Sequence, residues 1–214
     1  MEILTLPLGQ LETNSYLILP DDSDSAILVD APYEAATAIP AVLEKRGRKL
    51  VAILLTHGHW DHIWDTAALA AATGAKVYAG EDGRQLIENP ESQLQYMFSF
   101  GNFDGAKIGV FPKDGMELEI AGLKIKCFEA PGHCPGSIIY YMKDSDGRGI
   151  LFAGDVIFAD SIGRTDLWGG SYAALEKSIK EKIFTLPANT VIYPGHGEPT
   201  TVAHERQYNP YFGG

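Results

Sequence analysis

The sequence has few cysteines, a deficit of cations and no hydrophobic run long enough to cross a membrane. Its two cysteines, Cys127 and Cys134, are too few for a disulfide framework and are interpreted as free thiols. No apolar stretch approaches the length of about 18 residues that spans a bilayer, so no membrane partner is expected. The N-terminal residues lack the basic and apolar regions of a secretory signal, and a cytoplasmic location is therefore expected.

The deficit of cations excludes a further class of partner. The 214 residues include 17 Lys and Arg against 28 Asp and Glu, which gives a formal net charge of −11. Such a surface repels polyphosphates, so nucleic acid is not expected as a ligand. The composition, 45% hydrophobic and 21% charged, is typical of a globular protein. Because no Gly/Ser-rich or Pro-rich linker divides the chain, we expect one domain over residues 1–214.

The spacing of apolar residues predicts strands and helices in alternation. A near-continuous apolar run at 49–55 indicates a buried strand. Further strands are expected at 3–8, 16–19, 26–29, 76–79, 117–120, 123–129, 137–142, 149–153 and 190–193. Helices are expected at 34–45, 63–73 and 172–184. Gly47 is expected to end the first of these helices.

Three of the six histidines stand close together directly after the strand at 49–55. The segment 56–62 reads THGHWDH, and loops beyond strand ends are where layered α/β proteins place catalytic groups. On an extended loop, His57 and His59 can turn toward one point while Asp61 and His62 turn toward a second. This spacing indicates two metal ions. Imidazole and carboxylate ligands without a thiolate suit zinc, iron or manganese and argue against a closed structural zinc site.

Two four-coordinate ions need more ligands, and residues of the same types follow other predicted strands. His133 follows the strand at 123–129 in APGHCPGS, and Asp155 follows the strand at 149–153 in AGD. His196 follows the strand at 190–193 in YPGHG. Glycine or proline precedes each of these residues, as a loop that approaches a crowded site requires. His204 lies in an expected C-terminal helix and is given no metal role.

These motifs, His-x-His-x-Asp-His followed by Pro-Gly-His, Gly-Asp and Gly-His-Gly, resemble the metallo-β-lactamase superfamily over nearly the whole chain. The resemblance implies an α/β fold (α+β by some schemes), a four-layer αββα sandwich of two mixed β-sheets flanked by helices. It implies two divalent metal ions, with zinc favoured and iron or manganese as alternatives. The implied ligands are His57, His59 and His133 for the first ion, Asp61, His62 and His196 for the second, and Asp155 as a bridge.

Within the superfamily, the segments PGHCPGS, GDVIFADSIGRTDLWGG and PGHGEPTTVAHERQYNP resemble short glyoxalase II-like hydrolases, which act on thioesters such as S-lactoylglutathione. The implied reaction is hydrolysis of a small-molecule acyl thioester by a hydroxide that bridges the metals, with Asp61 as the catalytic group that accepts its proton. Arg164 and Arg206 are candidates for binding substrate carboxylates, and a structural salt bridge is an equal alternative for both. Glutathione as the thiol carrier stays open, because the sequence stops at Gly214 without the C-terminal helical domain of full-length glyoxalase II.

Other functions also stay open. A persulfide dioxygenase on the same fold, which GRTD and EKIFTLP also resemble, would hold one iron through His57, His133 and Asp155. A non-enzymatic metal-binding interaction module is a further class. The apolar loop at 96–103 has two interpretations, a wall over the active site or the interface of a homodimer. Cys134, where the family commonly has Thr or Ser, is interpreted as a small buried residue.

Overall fold

The computed structural model describes residues 1–96, 101 and 103–212, and these residues contain two large β-sheets. The first sheet has five strands that lie side by side in chain order: β1 (Glu2–Leu8), β2 (Thr13–Leu19), β3 (Ser25–Val29), β4 (Lys49–Leu54) and β5 (Lys76–Tyr78). The first three strands pair in antiparallel fashion, whereas β3, β4 and β5 pair in parallel. The sheet is therefore mixed, as the resemblance implied.

The second sheet is also mixed and is formed by the later part of the chain. Its strands are β6 (Glu117–Ile120), β7 (Leu123–Glu129), β8 (Ile138–Lys143), β9 (Gly149–Gly154), β12 (Val191–Pro194) and β13 (Thr200–Thr201). The order across the sheet is β13-β12-β9-β8-β7-β6, with β9 and β12 parallel and the other neighbours antiparallel. The strands β10 (Ile157–Phe158) and β11 (Ser161–Ile162) form a separate hairpin.

The helices lie between and after the strands. They are α1 (Ala35–Arg46), α2 (Trp60–Ile63), α3 (Thr66–Thr73), α4 (Arg84–Glu88), α5 (Tyr172–Ser178) and α6 (Val202–Tyr208). Two 3₁₀ segments (Glu81–Gly83 and Pro90–Tyr96) flank α4, and a π-helical segment (Ile179–Ile183) continues α5. Gly47 ends α1 with a left-handed backbone (φ 62°), which confirms the expected stop. None of the helices in the described ranges is long and apolar enough to span a bilayer.

Side chains of β3 alternate between two hydrophobic cores because successive residues of a strand point to opposite faces of the sheet. Leu28 packs with residues of α1 and α3, such as Ile39 and Leu69. Ile27 packs in a second core, against Phe152 of the other sheet. A third core lies on the outer face of the second sheet, under α5 and α6. The layers are thus helix, sheet, sheet and helix, which confirms the expected αββα sandwich.

The chain departs from the predicted helix at 63–73. Helix α2 begins earlier, at Trp60, and a break at Trp64 and Asp65 separates it from α3. The Asp65 carboxylate accepts a hydrogen bond from the backbone N–H of Ala36 (2.8 Å), so it caps the start of α1. The break coincides with this tertiary contact, which the Ala-rich local pattern does not show.

The loop predicted at 96–103 lies largely outside the described residues, which omit Met97, Phe98 and Phe100. Phe103 is described, and its ring stacks on Trp64 with the ring centres 4.8 Å apart. Neither interpretation of the loop, active-site wall or dimer interface, is tested by this contact.

Candidate metal centre

The predicted ligands follow four strands whose carboxyl ends meet at one edge of the sandwich. In the second sheet, β9 and β12 are parallel, and β7 runs in the same direction because both β7 and β9 are antiparallel to β8. The loop after β4, in the first sheet, joins this edge through the hydrogen bond from the Ile138 N–H to the Thr56 carbonyl (2.7 Å). Strand direction therefore brings together loops that are distant in the sequence.

The first group of ligand atoms consists of three imidazole nitrogens. Nδ1 of His59 lies 3.1 Å from Nε2 of His57 and 2.9 Å from Nε2 of His133. Burial, aided by the charge of neighbouring histidines, lowers the pKa of His59 to about 4 and lowers the pKa of His57 well below its ordinary value. Both rings are therefore neutral at physiological pH and offer lone pairs to a metal.

The second group consists of Asp61, His62 and His196. Oδ2 of Asp61 lies 3.5 Å from Nε2 of His62 and 3.3 Å from Nε2 of His196. Asp61 and His62 lie in the first turn of α2 rather than on the extended loop that the sequence predicted. The helical turn still places Asp61 and His62 with His196, in a group separate from that of His57, His59 and His133, and the assignment of these groups to two ions stays a prediction.

Asp155 lies between the two groups. Its Oδ1 is 3.3 Å from Nε2 of His62, and its Oδ2 is 3.5 Å from Nε2 of His133 and 3.7 Å from Nε2 of His196. One carboxylate thus contacts ligands of both triads. This is the position that the resemblance implied for a bridging residue.

The charges of the second group are strongly coupled. Burial alone would raise the pKa of Asp155, but the charge of His62 lowers it well below its ordinary value. Burial would likewise raise the pKa of Asp61, and His62 with the hydrogen bond of His196 lowers it. The pKa of His62 moves the other way: burial would lower it, and the carboxylates of Asp155 and Asp61 raise it well above its ordinary value. Both carboxylates are therefore ionised at neutral pH.

In three of the candidate ligand histidines, the imidazole nitrogen that points away from the two ligand groups donates a hydrogen bond to an oxygen atom. Nδ1 of His62 donates to Oδ2 of Asp30 (2.8 Å), and Nδ1 of His133 donates to the carbonyl of Arg164 (2.8 Å). Nδ1 of His196 donates to the carbonyl of Leu11 (3.0 Å). Because each Nδ1 donates outward, Nε2 of the same ring faces the site, where a metal ion would replace any proton that it carries. Such outer hydrogen bonds orient metal-ligating histidines in general.

Three supporting residues were not found by sequence reasoning. Asp30 follows β3 and also accepts hydrogen bonds from the N–H and hydroxyl of Thr56, both 2.7 Å. Asn14 donates to the carbonyls of Pro194 and Gly197 on the loop of His196. Gln93 donates to the carbonyls of Gly58 and Leu86 and accepts from the Trp60 N–H. Only Asp30 has a usable sequence signal, since it follows a strand adjacent to β4.

Two glycines are required by the crowding at this edge. A Cβ at Gly195 would lie 2.1 Å from Oδ1 of Asp155 and 2.7 Å from Cε1 of His62. A Cβ at Gly154, which has a left-handed backbone (φ 50°), would lie 2.5 Å from Oγ1 of Thr56. The predicted reason for the glycines before Asp155 and His196 is thereby confirmed.

The donor set fits divalent metal ions. Among the described residues, Nε2 of His62 and Oδ1 of Asp155 are buried and, although they lie 3.3 Å apart, neither makes a hydrogen bond of good geometry. Unsatisfied buried polar atoms are costly, and a cation that both atoms coordinate would satisfy them. Five imidazoles and two carboxylates without a thiolate are donors typical of zinc and iron.

Cys134 is fully buried, and burial raises its pKa to about 12, which agrees with a structural thiol.

His204 lies apart from the two triads. Its Nε2 donates to Oδ1 of Asp160 (2.7 Å), and the neighbouring carboxylate of Glu205 accepts from Thr200, Asn209 and the Asp160 N–H. The oxygens of Glu205 are therefore already bonded. This network ties α6 to the β10–β11 hairpin. Asp160, His204 and Glu205 form a separate cluster of possible ligand atoms, so the absence of a metal role for His204 stays a prediction.

Two members of each triad (His59 and His133, Asp61 and His196) form the floor of a cleft of about 540 Å³ together with Asp155. Arg164 lines this cleft, and its exposed guanidinium makes two hydrogen bonds to Asp166, of 2.7 and 2.8 Å. Arg206 is exposed on α6 and is not among the described residues that line the cleft. Substrate binding by both arginines stays a prediction.

Comparison with known proteins gives a family match and close structural neighbours. The model of the metallo-beta-lactamase superfamily matches residues 8–196. The probable metallo-hydrolase YqgX of Bacillus subtilis is 33% identical, with 98% of this chain and 96% of that protein covered. The hydroxyacylglutathione hydrolase GloC of Haemophilus influenzae is 32% identical, with 99% of this chain and 98% of that protein covered.

Solved structures resemble the whole sandwich. The BLEG-1 B3 metallo-beta-lactamase is 34% identical with a TM-score of 0.89, and 100% of both chains is covered. TTHA1623 in a di-iron-bound form is 31% identical with a TM-score of 0.83, covering 97% of this chain and 99% of that chain. ETHE1 from Myxococcus xanthus is 27% identical with a TM-score of 0.82, covering 99% of this chain and 84% of that chain.

Proposed function

Because the chain belongs to the metallo-beta-lactamase superfamily, whose members are metal-dependent hydrolases, we propose that it hydrolyses acyl thioesters at a two-metal site. The observation that supports this proposal most strongly is the pair of ligand triads that share Asp155 at the floor of one cleft. The similarity to a relative named hydroxyacylglutathione hydrolase favours a thioester as the substrate class.

The residues divide into two proposed metal positions. His57, His59 and His133 would hold one ion and Asp61, His62 and His196 the other, with Asp155 shared. Divalent ions bound there would supply a hydroxide nucleophile at neutral pH and polarise the carbonyl oxygen of the substrate. The imidazole-rich donor set favours zinc. Iron is supported as well, because a similar structure is a di-iron-bound form.

In the proposed reaction, one water molecule is consumed per thioester. The water oxygen forms a bond to the acyl carbon, the carbon–sulfur bond breaks, and the products are a carboxylic acid and a thiol. Asp61 is ionised at neutral pH, so its carboxylate can accept the proton of the nucleophile. Thr13 donates a hydrogen bond to Oδ2 of Asp61 (3.1 Å) and fixes the orientation of this carboxylate.

The experiment is an assay of thiol release from S-lactoylglutathione and from simple acyl thioesters by zinc-loaded and iron-loaded protein. We expect His196→Gln to lower kcat/KM at least about 100-fold, because the variant lacks one ligand of the second triad. His204→Gln is the matched control, since His204 lies outside both triads, and it should retain activity within about twofold of the parent. No thiol release by fully loaded protein, or an equal loss in the two variants, would contradict the proposal.

A second candidate is the persulfide dioxygenase that GRTD and EKIFTLP resemble, which would hold one iron through His57, His133 and Asp155. Oδ2 of Asp155 lies 3.5 Å from Nε2 of His133. Oxygen uptake by iron-loaded protein with glutathione persulfide, in the absence of thioester hydrolysis, would replace the first proposal with this one. Because another similar structure is a B3 metallo-beta-lactamase, the chromogenic β-lactam nitrocefin belongs in the same assay panel.

A further inference from the structure

The walls of the cleft are apolar, in contrast to its floor. Five large apolar side chains line the cleft around the ligand triads: Leu11, Trp60, Leu86, Leu167 and Trp168. These residues come from separate parts of the chain, namely the turn before β2, the start of α2, helix α4 and the loop after β11. Two of them, Leu11 and Trp168, are 48% and 54% exposed. Exposed large apolar side chains beside a reactive centre are typical of a surface that contacts a ligand.

The exposed wall residues are fixed relative to the ligands. The carbonyl of Leu11 accepts the hydrogen bond from His196, and the carbonyl of Arg164, in the loop that carries Leu167 and Trp168, accepts the hydrogen bond from His133. Each of these wall segments is thus tied to a histidine of the floor. A substrate whose reacting carbonyl lies at the triads must therefore place its adjoining groups against these walls.

The walls of the cleft offer little to an anionic thiol carrier. Among the described residues that line it, Arg164 carries the one guanidinium or ammonium group. The bidentate hydrogen bonds from Arg164 hold the pKa of Asp166 at about 2, so this partner stays charged at all physiological pH values. A carboxylate of a substrate would have to compete with Asp166 for the same guanidinium.

From these observations, and resting on the proposed thioester hydrolysis, we infer that the enzyme selects thioesters with an apolar acyl chain and an uncharged thiol carrier. The apolar walls bind the acyl chain, with Trp168 as a specificity-determining residue. The Arg164–Asp166 pair discriminates against carriers with free carboxylates, such as glutathione. Selection by apolar burial grows with chain length, because each methylene buried adds to binding.

The first test is a series of N-acetylcysteamine thioesters from acetyl to hexanoyl, assayed with metal-loaded protein. We expect kcat/KM to rise about two- to fourfold per methylene, and the hexanoyl thioester to exceed S-lactoylglutathione at least about tenfold. In Trp168→Ala, the hexanoyl-to-acetyl ratio of kcat/KM should fall at least about fivefold. Tyr208→Ala, which removes an exposed aromatic ring outside the cleft lining, is the matched control and should keep the parent ratio.

The second test removes the competing carboxylate. In Asp166→Asn, the ratio of kcat/KM for S-lactoylglutathione to that for the acetyl thioester should rise about tenfold, because Arg164 is released to bind a substrate carboxylate. A ratio that stays at the parent value would overturn the discrimination by Arg164 and Asp166.

A binding measurement separates this inference from the proposed function. Thioethers are not hydrolysed. Calorimetry of metal-loaded protein with S-hexyl-N-acetylcysteamine and S-hexylglutathione therefore measures binding to the cleft without a reaction. We expect the neutral thioether to bind at least about tenfold more tightly. Tighter binding of the neutral thioether without any thioester hydrolysis would overturn the proposed reaction and retain the selectivity of the cleft. Hydrolysis with a flat chain-length series and equal binding of the two thioethers would overturn the inference alone.

Discussion

At the scale of single residues, Asp30 fixes the orientation of the second ligand triad. Its buried carboxylate accepts hydrogen bonds from the N–H and hydroxyl of Thr56 and from Nδ1 of His62. The Thr56 hydroxyl lies 3.1 Å from Nδ1 of His57 and can accept a hydrogen bond from it, because the hydroxyl's own hydrogen is donated to Asp30. One carboxylate thereby fixes the tautomer of a histidine in each triad.

We expect Asp30→Asn to weaken metal binding about 10- to 100-fold, as measured by competition with a chelating indicator. Glu205→Gln is the matched control, because Glu205 is also fully buried and hydrogen-bonded but lies in the network of His204. Similar metal affinities in the two variants would show that Asp30 does not act on the ligands.

The two thiols allow a test of the structural interpretation of Cys134. Burial raises the pKa of Cys127 and of Cys134 to about 12, and the thiolate is the reactive form. We expect the thiols of the native protein to react very slowly with a thiol-specific reagent at pH 8. In the unfolded protein, two thiols per chain should react. Fast modification of one thiol in the native protein would contradict the structural role.

The seven candidate ligands could be proposed at this scale because histidine is rare in the sequence and each candidate follows a predicted strand. Gln93 and Asn14 could not be predicted, because their hydrogen bonds reach backbone carbonyls 35 and 180 residues away. Such bonds depend on tertiary structure and leave no local pattern in the sequence.

At the scale of the elements, the conformation of the loops after the strands depends on glycines as well as on the candidate ligand residues. The loop after β12 holds Gly195 against Asp155 and His62, whereas Gly197, two residues later, has open space where a Cβ would be placed. The predicted start of the helix at 63–73 was wrong, and a tertiary contact lies at this boundary as well. Asp65 lies between α2 and α3, and its carboxylate accepts a hydrogen bond from Ala36 of α1, which is distant in the sequence.

Gly195→Ala and Gly197→Ala form a matched pair within one loop. We expect Gly195→Ala to reduce metal occupancy at least about tenfold, because its Cβ would displace the Asp155 carboxylate. Gly197 has a φ of +73°, so Gly197→Ala should cost about 1 kcal/mol of unfolding free energy without loss of metal. Equal metal occupancy in the two variants would refute the proposed crowding at Gly195.

At the scale of the whole molecule, the two sheets create the site by directing strand ends from both halves of the chain to one edge. The fold class could be predicted from the alternation of strands and helices together with the motifs, and the family match over residues 8–196 supports the same assignment. Two divalent ions would bring the formal charge from −11 to about −7 and concentrate positive potential at the floor of the cleft. The apolar character of the walls was not predictable, since their residues belong to unconnected segments.

Because ligands from both sheets would share the ions, metal binding should stabilise the entire sandwich. We expect zinc at about 100-fold excess over its Kd to stabilise the native state by about 2.7 kcal/mol. For a domain of this size, that corresponds to a rise in Tm of about 5 to 10 °C. A chelator should reverse the rise in a thermal-denaturation experiment, and an unchanged Tm would argue against ligation by residues of both sheets.

The most direct test of the two-metal site is the number of ions bound per chain, measured by elemental analysis and native mass spectrometry after reconstitution. We predict about two ions per chain for the parent and about one for His196→Gln, which retains the first triad. About one ion per chain or fewer in the fully reconstituted parent would contradict the two-metal site.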